Sequence, residues 1–362
     1  MGDDGRPRLP VLSVESGVSS AATIRDDWYV ACTSAELEPG KTVRSSLYGH
    51  PIVLFRDATG KPVALLDRCP HRNVPLSGGC VETGTLRCPY HGWRFGEDGR
   101  CVEVPGLVGE ADLPARRAGA FACEQRQGLI WIWGEAGATP NRAPHELPHY
   151  GAPGYTSAIQ VFEVDATLHA VAENTLDVPH TAFLHGGLFR KPGRNLEIEV
   201  AVRRWHDRVE AEYIGETAPE GLVGRILAPG GGTVVHFDRF WLPGICEVDY
   251  RLGDRSHINV RSLLTPLEAG RTRLTAVTCA RLPVPGWLIK PILLPVAKRI
   301  FGQDAQILTA QSDAIETFGG ERFVSTELDA LGPEILRLLR NAERGDRSPR
   351  AEPAEHRFKM RV

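Results

Sequence analysis

The sequence predicts an α+β protein in two parts: an all-β unit, then a larger unit in which an antiparallel sheet packs on helices. Three observations carry this. Short runs rich in Val, Ile, Leu and aromatics, broken by Gly, Pro and Asp, fill the first third. Longer runs of alternating apolar and polar residues follow between 196 and 281, the mark of strands with one buried face. Segments with helical spacing flank those runs on both sides.

Taken in order, residues 1–24 are polar and Gly/Ser-bearing and predict a loose arm. The β-like runs WYVAC (28–32), PIVLF (51–55), PVALLD (62–67) and LIWIW (129–133) define the first unit, 25–135. Residues Gly134 to Gly154 hold four prolines and four glycines and predict a linker, 136–157, whose His145 and His149 are expected to be exposed. The second unit, 158–344, opens with a partly helical stretch at 166–185. Six alternating runs then follow, at 196–205, 208–215, 233–242, 245–252, 257–264 and 272–281. Helices are predicted over 296–318 and 332–343. The first of these would bury Ile300, Phe301, Ile307, Leu308, Ile315 and Phe318. The tail, 345–362, is charged and Pro-containing and is expected to be disordered.

With 362 residues the chain can build two full cores. A hydrophobic content of 42% and a charged content of 24% are ordinary for a globular protein, and a net charge of −3 gives no reason to expect nucleic acid. Eight cysteines over this length do not make a disulfide scaffold. The start, MGDDGRPRLP, carries no signal-peptide pattern, so a reducing cytoplasm is the expected compartment. The most apolar run, 287–297, is too short to span a bilayer and is interrupted by Lys290, Pro291 and Pro295, so membrane contact is not expected.

Two clusters carry chemistry. Cys69-Pro70-His71 and Cys88-Pro89-Tyr90-His91 are two hooks, each offering one thiolate and one imidazole, with sixteen residues between His71 and Cys88. Zinc also accepts two Cys and two His. A Cys₂His₂ set split between two sulfide-bridged irons is the Rieske form of the 2Fe-2S centre, and hooks that each mix one Cys with one His favour it. Further on, Asn174, Asp177, His180 and His185 lie close together. His180 and His185 would point about 140° apart on a straight helix. Pro179 can break the helix and bring both to one ion. Asp304, on the buried face of the late helix, is a candidate third ligand, since a buried carboxylate is costly unless paired or metal-bound. Two histidines and one carboxylate make the facial triad of non-haem ferrous iron. A simple salt bridge is the competing reading of Asp304.

On the two Cys-Pro hooks the chain resembles the oxygenase component of Rieske non-haem iron oxygenases. Family members carry Asn-x-x-Asp-x-x-His-x-x-x-x-His, matched by Asn174, Asp177, His180 and His185. They also carry a late-helix Asp, matched by Asp304 between Gln303 and Gln311. The resemblance implies a Rieske domain with its hooks at two loop tips, then a helix-grip (START-like) catalytic domain. It implies Cys69, His71, Cys88 and His91 as cluster ligands, and His180, His185 and Asp304 as ligands of a mononuclear iron. It implies Asn174 as a pocket residue, and Asp177 as an acid bridging His180 to His91 of a neighbouring subunit in a head-to-tail homotrimer. Most similar are the compact monooxygenases of the vanillate and dicamba O-demethylase kind. These hydroxylate or demethylate aromatic or other hydrophobic molecules with O₂ and electrons from a separate NAD(P)H-dependent reductase or ferredoxin. No dinucleotide fingerprint occurs in this chain, which agrees with a partner reductase. Ring cis-dihydroxylation uses the same metals and is the alternative. A pure Rieske electron carrier has no use for the second domain. Phe183, Leu184, His236, Phe240 and Trp241 are the expected substrate-pocket residues. Respiratory-chain Rieske proteins place cysteines where Val74 and Tyr90 stand, and a serine where Trp93 follows Gly92. Fewer donors to the cluster sulfides imply a low reduction potential.

Overall fold

The computed structural model describes residues 20–185, 196–217, 234–253, 255–346 and 353–361. The first domain contains β1 (Trp28–Thr33), β2 (Val43–Leu47), β3 (His50–Arg56), β4 (Pro62–Leu66), β5 (Cys80–Glu82), β6 (Thr85–Arg87), β7 (Arg94–Phe95), β8 (Cys101–Glu103), β9 (Ala120–Phe121), β10 (Cys123–Arg126) and β11 (Leu129–Trp133). These form three sheets, ordered β1-β11-β10, β2-β3-β4-β9 and β5-β6-β7-β8. The four predicted β-like runs fall on β1, β3, β4 and β11. The last sheet was not expected, since two- and three-residue strands leave no periodic trace. It carries the hooks: the first lies between β4 and β5, the second between β6 and β7. The backbones at their bases touch. A Cβ on Gly79 would stand 2.0 Å from the carbonyl oxygen of Arg87, so only glycine fits there.

The second domain is one eight-stranded antiparallel sheet with helices on one face. Its elements are β12 (Thr156–Val164), α1 (Leu168–Leu176), α2 (Thr181–Leu184), β13 (Glu197–Arg204), β14 (Arg208–Ile214), β15 (Val234–Trp241), β16 (Ile245–Leu252), β17 (Ser256–Glu268), β18 (Arg271–Arg281), α3 (Gly286–Thr317), α4 (Gly332–Glu343) and β19 (Ala354–Arg361). The strand order is β12-β18-β17-β16-β15-β14-β13-β19. Val200, Val202, Ala211, Phe240, Leu264 and Ala276 face the helices and meet Val171, Ala172, Ile335, Leu338 and Leu339. Each such large apolar side chain contributes about 1.5–3 kcal/mol on burial. The other face divides. Over β16 to β18 it packs on the first domain, with Trp28, Trp131 and Trp133 against Ile245, Leu263 and Val277. Elsewhere it carries cross-strand ion pairs, among them Arg203 with Glu212 and Arg239 with Glu247. Backbone bonds fasten the domains together: Tyr48 N–H to Pro266 O (2.8 Å) and Gly49 N–H to Leu267 O (2.7 Å).

The structure corrects five expectations. Residues 354–361 of the tail form β19, paired along its whole length with β13. Its charges are matched across the strands by Arg357–Glu199 (2.8 Å) and Lys359–Glu197 (2.8 Å), and Met360 is buried. Residues 20–24 of the arm are packed: Ser20 bonds Thr167 and Glu321, and Ile24 joins the helix-side core. Residues 1–19 lie outside the described part. The linker histidines are partly covered rather than exposed. His145 lies by Trp241 (centroids 5.6 Å), and His149 stacks on Tyr155 (4.7 Å). Helix α3 starts ten residues before the predicted 296, running through Pro291 and Pro295. Along it Leu308 is buried, but Ile307 (48%) and Phe318 (69%) are exposed.

Candidate metal centres

The first hook places Cys69 in a buried position on a tight loop, where its carbonyl accepts from Asn73 N–H (2.9 Å) and its amide donates to Val74 O (2.9 Å). The second is closed by Gly92 N–H to Cys88 O (3.2 Å) and Cys88 N–H to Trp93 O (2.8 Å). Both cysteines are buried, and their sulfurs are close enough to interact. His91 is exposed, and its ring lies 4.6 Å from that of His71. The four donors therefore sort into a buried thiol pair and an outer imidazole pair. One iron of a Rieske centre takes the thiolates and the other the imidazoles. Among the described residues these four do not converge on one point, as a single tetrahedral zinc requires.

Two details fit a bound cluster. His71 Nδ1 is buried without a hydrogen-bond partner, the state of a nitrogen that serves as a ligand. Burial pushes the Cys69 thiol up to about 11, yet the His71 and Arg72 backbone N–H groups are aimed at its sulfur and would serve a thiolate. Trp93, where a hydroxyl donor would stand, instead stacks flat on His71 at 4.7 Å. With no side-chain hydroxyl there, the expected reduction potential is about −150 mV, at the low end of the Rieske range. Redox titration followed by visible absorbance measures it, and a midpoint above zero would refute the argument.

The second centre is built by a helix break. Thr167 caps α1 through Ala170 N–H, and α1 ends at Asp177, which has extended backbone. Asp177 then accepts from His180 N–H (2.9 Å) and from His180 Nδ1–H (3.2 Å), so the acid both closes the turn leading into α2 and fixes the imidazole. His185 closes α2 and is 2% exposed. Helix α3 supplies Asp304 from the far end of the domain. Its Oδ1 lies 3.1 Å from His185 Nε2 and 3.5 Å from His180 Nε2. All three ligand atoms lie within 4.8 Å of one another. On the outer side, His185 Nδ1–H donates to Gln303 Oε1 (3.1 Å). Both imidazoles are thus held by a polar partner on Nδ1 and present Nε2 inward.

Asp304 Oδ1 is buried with no conventional hydrogen bond, and a cation between it and the two Nε2 atoms would satisfy it. Burial alone would lower the His180 pKa. The Asp177 and Asp304 carboxylates beside it outweigh burial and raise that imidazole to about 9. Of the two carboxylates only Asp304 faces the Nε2 atoms, and a dication bound there would replace the proton on His180. The two sets of donors fit a Rieske 2Fe-2S cluster and a mononuclear ferrous ion.

Three polar groups of this domain had no role assigned from the sequence. Gln303 is one, although a ligand histidine needs an acceptor on its second nitrogen and Gln303 adjoins Asp304. Glu216 is another. With Asp238 it brackets His236 at 2.8 and 3.1 Å, and Tyr213 and Tyr250 flank the ring at 4.5 and 4.0 Å. Burial alone would lower the His236 pKa, but the carboxylates raise it to about 9. The third is Glu173, on α1, packed against Gly332, where a Cβ would meet its Oε1 at 1.9 Å. Burial, then Asp329 and Asp177, raise its carboxyl to about 7.

A carboxyl whose folded pKa is raised keeps its proton in the native state after the unfolded chain has lost it. Stability therefore falls as pH rises from the ordinary glutamate range to about 7, and the cost is full above that. Glu173→Gln is expected to stabilise the protein at pH 8 by on the order of 1–3 kcal/mol and to have little effect at pH 4.5. Thermal unfolding at both pH values checks this, and an equal shift at both would refute it.

Of the pocket candidates, Leu184 is half-buried, and His236 and Phe240 are buried on the helix side of β15. Trp241, the next residue, faces the other way and packs with the first domain beneath Arg261 (5.3 Å). Phe183 is 83% exposed, so it does not line an interior wall. Asn174 is the third-last residue of α1, and its carbonyl accepts from Asp177 N–H (3.4 Å).

A hooked iron–sulfur domain followed by a sheet-and-helix domain with a two-histidine, one-carboxylate iron site defines an iron-dependent oxygenase. Comparisons agree. Residues 27–117 match the Rieske [2Fe-2S] domain, and residues 164–345 match the vanillate O-demethylase oxygenase C-terminal domain. The chain belongs to the Rieske non-haem iron oxygenases, as an oxygenase component. It is 29% identical to the 4beta-methylsterol monooxygenase of Methylococcus capsulatus, over 96% of this chain and 98% of that one. It is 35% identical to the dicamba O-demethylase oxygenase component of Stenotrophomonas maltophilia, over 58% and 57%. It is 34% identical to the chlorophyllide a oxygenase of Chlamydomonas reinhardtii, over 49% of this chain but only 27% of the relative. The crystal structure of dicamba monooxygenase bound to dicamba shares the fold, with a TM-score of 0.75 at 23% identity over 90% of this chain and 99% of that one.

Proposed function

We propose that the chain is the terminal oxygenase of a multicomponent system and hydroxylates or oxidatively demethylates an aromatic or other hydrophobic small molecule. The observation that carries this is the pair of Nε2 atoms converging on Asp304 Oδ1 within a sheet-and-helix core. When bound, the cluster supplies electrons one at a time and the ferrous ion activates oxygen. The chain's own residues prepare that site. Asp177 and Gln303 orient the imidazoles, and burial of His185 keeps bulk water away. Leu184, His236 and Phe240 stand as pocket residues, with Asn174 beside the iron.

Electrons would come from a separate NAD(P)H-dependent reductase, directly or through a ferredoxin. His91, exposed beside Tyr90 (62%), is the natural exit, and Asp177, 27% exposed, the natural entry on another copy. This supports a head-to-tail homotrimer. Eight free cysteines support a reducing cytoplasm. Among the described residues no helix is long and apolar enough to cross a membrane.

The test is turnover by the iron-loaded enzyme with a surrogate reductase and a panel of O-methyl and N-methyl aromatics and sterol-like substrates. Formaldehyde release, or a product heavier by one oxygen atom, is expected. A cis-diol product would move the chain to the dihydroxylating class.

A further inference from the structure

Residues 269–303 contain no Asp or Glu, yet hold six cations: Arg271, Arg273, Arg281, Lys290, Lys298 and Arg299. In a chain of net charge −3 that is a strong local bias. Part of it is answered inside the fold. Arg271 pairs with Glu163, Arg273 pairs with Glu36 (2.6 Å), and Arg281 lies over Tyr155 (5.3 Å). Lys298 and Arg299 are exposed, and among the described residues no carboxylate pairs with them.

The start of α3 is fixed firmly. Gly286 sits so close to β12 that a Cβ would meet Thr156 Oγ1 at 1.7 Å, and Gln160 Nε2 donates to Leu294 O (3.2 Å). That seats one side of the helix on the domain. Trp287, Leu288, Pro291, Pro295, Lys298 and Arg299 are exposed on the other side. At 100° per residue these six fall within an arc of about 120°. The stripe is apolar over its first turns and basic over the next. Trp287 is 74% exposed and Leu288 46%. Trp, Leu and Pro followed by Lys-Arg on one face is the arrangement of a helix that lies in a bilayer interface, with the ring at headgroup depth and the cations against anionic lipid. In the sequence, Lys290, Pro291 and Pro295 and the short length of the run count against a membrane span. In the fold the helix continues through both, and they lie on the exposed stripe.

We infer that the N-terminal turns of α3 form a peripheral docking surface for an anionic phospholipid bilayer. This does not depend on which substrate the iron site takes. The positive Lys298–Arg299 turn beside the apolar Trp287–Pro295 turns fits a surface that is anionic outside and apolar beneath.

The test uses the metal-loaded holoenzyme and large unilamellar vesicles, either pure phosphatidylcholine or seven parts phosphatidylcholine to three parts phosphatidylglycerol, roughly the anionic proportion at which such electrostatic attraction operates. Co-sedimentation with the anionic vesicles is expected, with at least about tenfold weaker binding to neutral ones and at high salt. Trp287→Ser with Leu288→Ser, and separately Lys298→Glu with Arg299→Glu, should each weaken binding at least about tenfold while leaving the solution mass of the protein unchanged. No sedimentation with either vesicle overturns the inference, as does unchanged binding by both variants. A drop in solution mass for Trp287→Ser with Leu288→Ser would assign the face to contact between copies of the chain, which also overturns it.

Discussion

Asp304→Ala is expected to lose the mononuclear iron and keep the cluster. Metal analysis should fall from about three irons per chain to about two, with about two acid-labile sulfides retained. Turnover should drop at least about a thousandfold, because two imidazoles alone bind ferrous iron poorly and the chemistry requires the ion. The effect is large for a structural reason. Asp304 Oδ1 lies 3.1 and 3.5 Å from the two Nε2 atoms, and among the described residues it is buried without a hydrogen bond. Removing it takes away the carboxylate that lies 3.1 Å from His185 Nε2, in a position 2% exposed. The visible spectrum of the cluster should not change, since Cys69, His71, Cys88 and His91 lie in the other domain. A variant retaining three irons and near-normal turnover would return Asp304 to the role of a simple salt-bridge partner.

The metal centres were legible because their donors are local in sequence. Three of the four motif positions around the second iron lie within nine residues, His180 and His185 among them, and the cluster hooks are shorter still. Only Asp304 had to be reached across the fold, and the periodicity of α3 pointed to it. The features that were missed are non-local. Strand β19 reads as a charged tail until pairing with β13 brings Lys359 to Glu197 and Arg357 to Glu199, which nothing in the tail announces. The early start of α3 was hidden because proline is costly inside a helix, and tertiary contact with Thr156 and Gln160 decides the matter instead. One error was avoidable. Phe240 and Trp241 are adjacent in a strand, and successive side chains point to opposite faces. They could not both line one pocket, and the structure puts Phe240 with the helices and Trp241 with the first domain.

Asp177→Asn should keep all its iron and yet cease to turn over. Asn retains the shape that closes the turn into α2, and His180 can still donate to its side-chain oxygen, so the iron site should load. What Asn lacks is a second charged oxygen for an incoming imidazole N–H. If electrons leave through His91 of one copy and enter at Asp177 of the next, a pre-reduced cluster mixed with oxygen and substrate should reoxidise at least about a hundredfold more slowly, with its reduced spectrum persisting. A merely structural role would lower iron content instead, so the two are separable by metal analysis. Mixed oligomers decide the route. Asp177→Asn chains keep a working cluster and His91→Ala chains keep a working Asp177. Each is inactive alone, but a mixture contains junctions where a good cluster faces a good acid in the neighbour. Recovery of activity on co-expression requires transfer between chains, and no recovery would place the transfer within one chain and remove the need for the trimer.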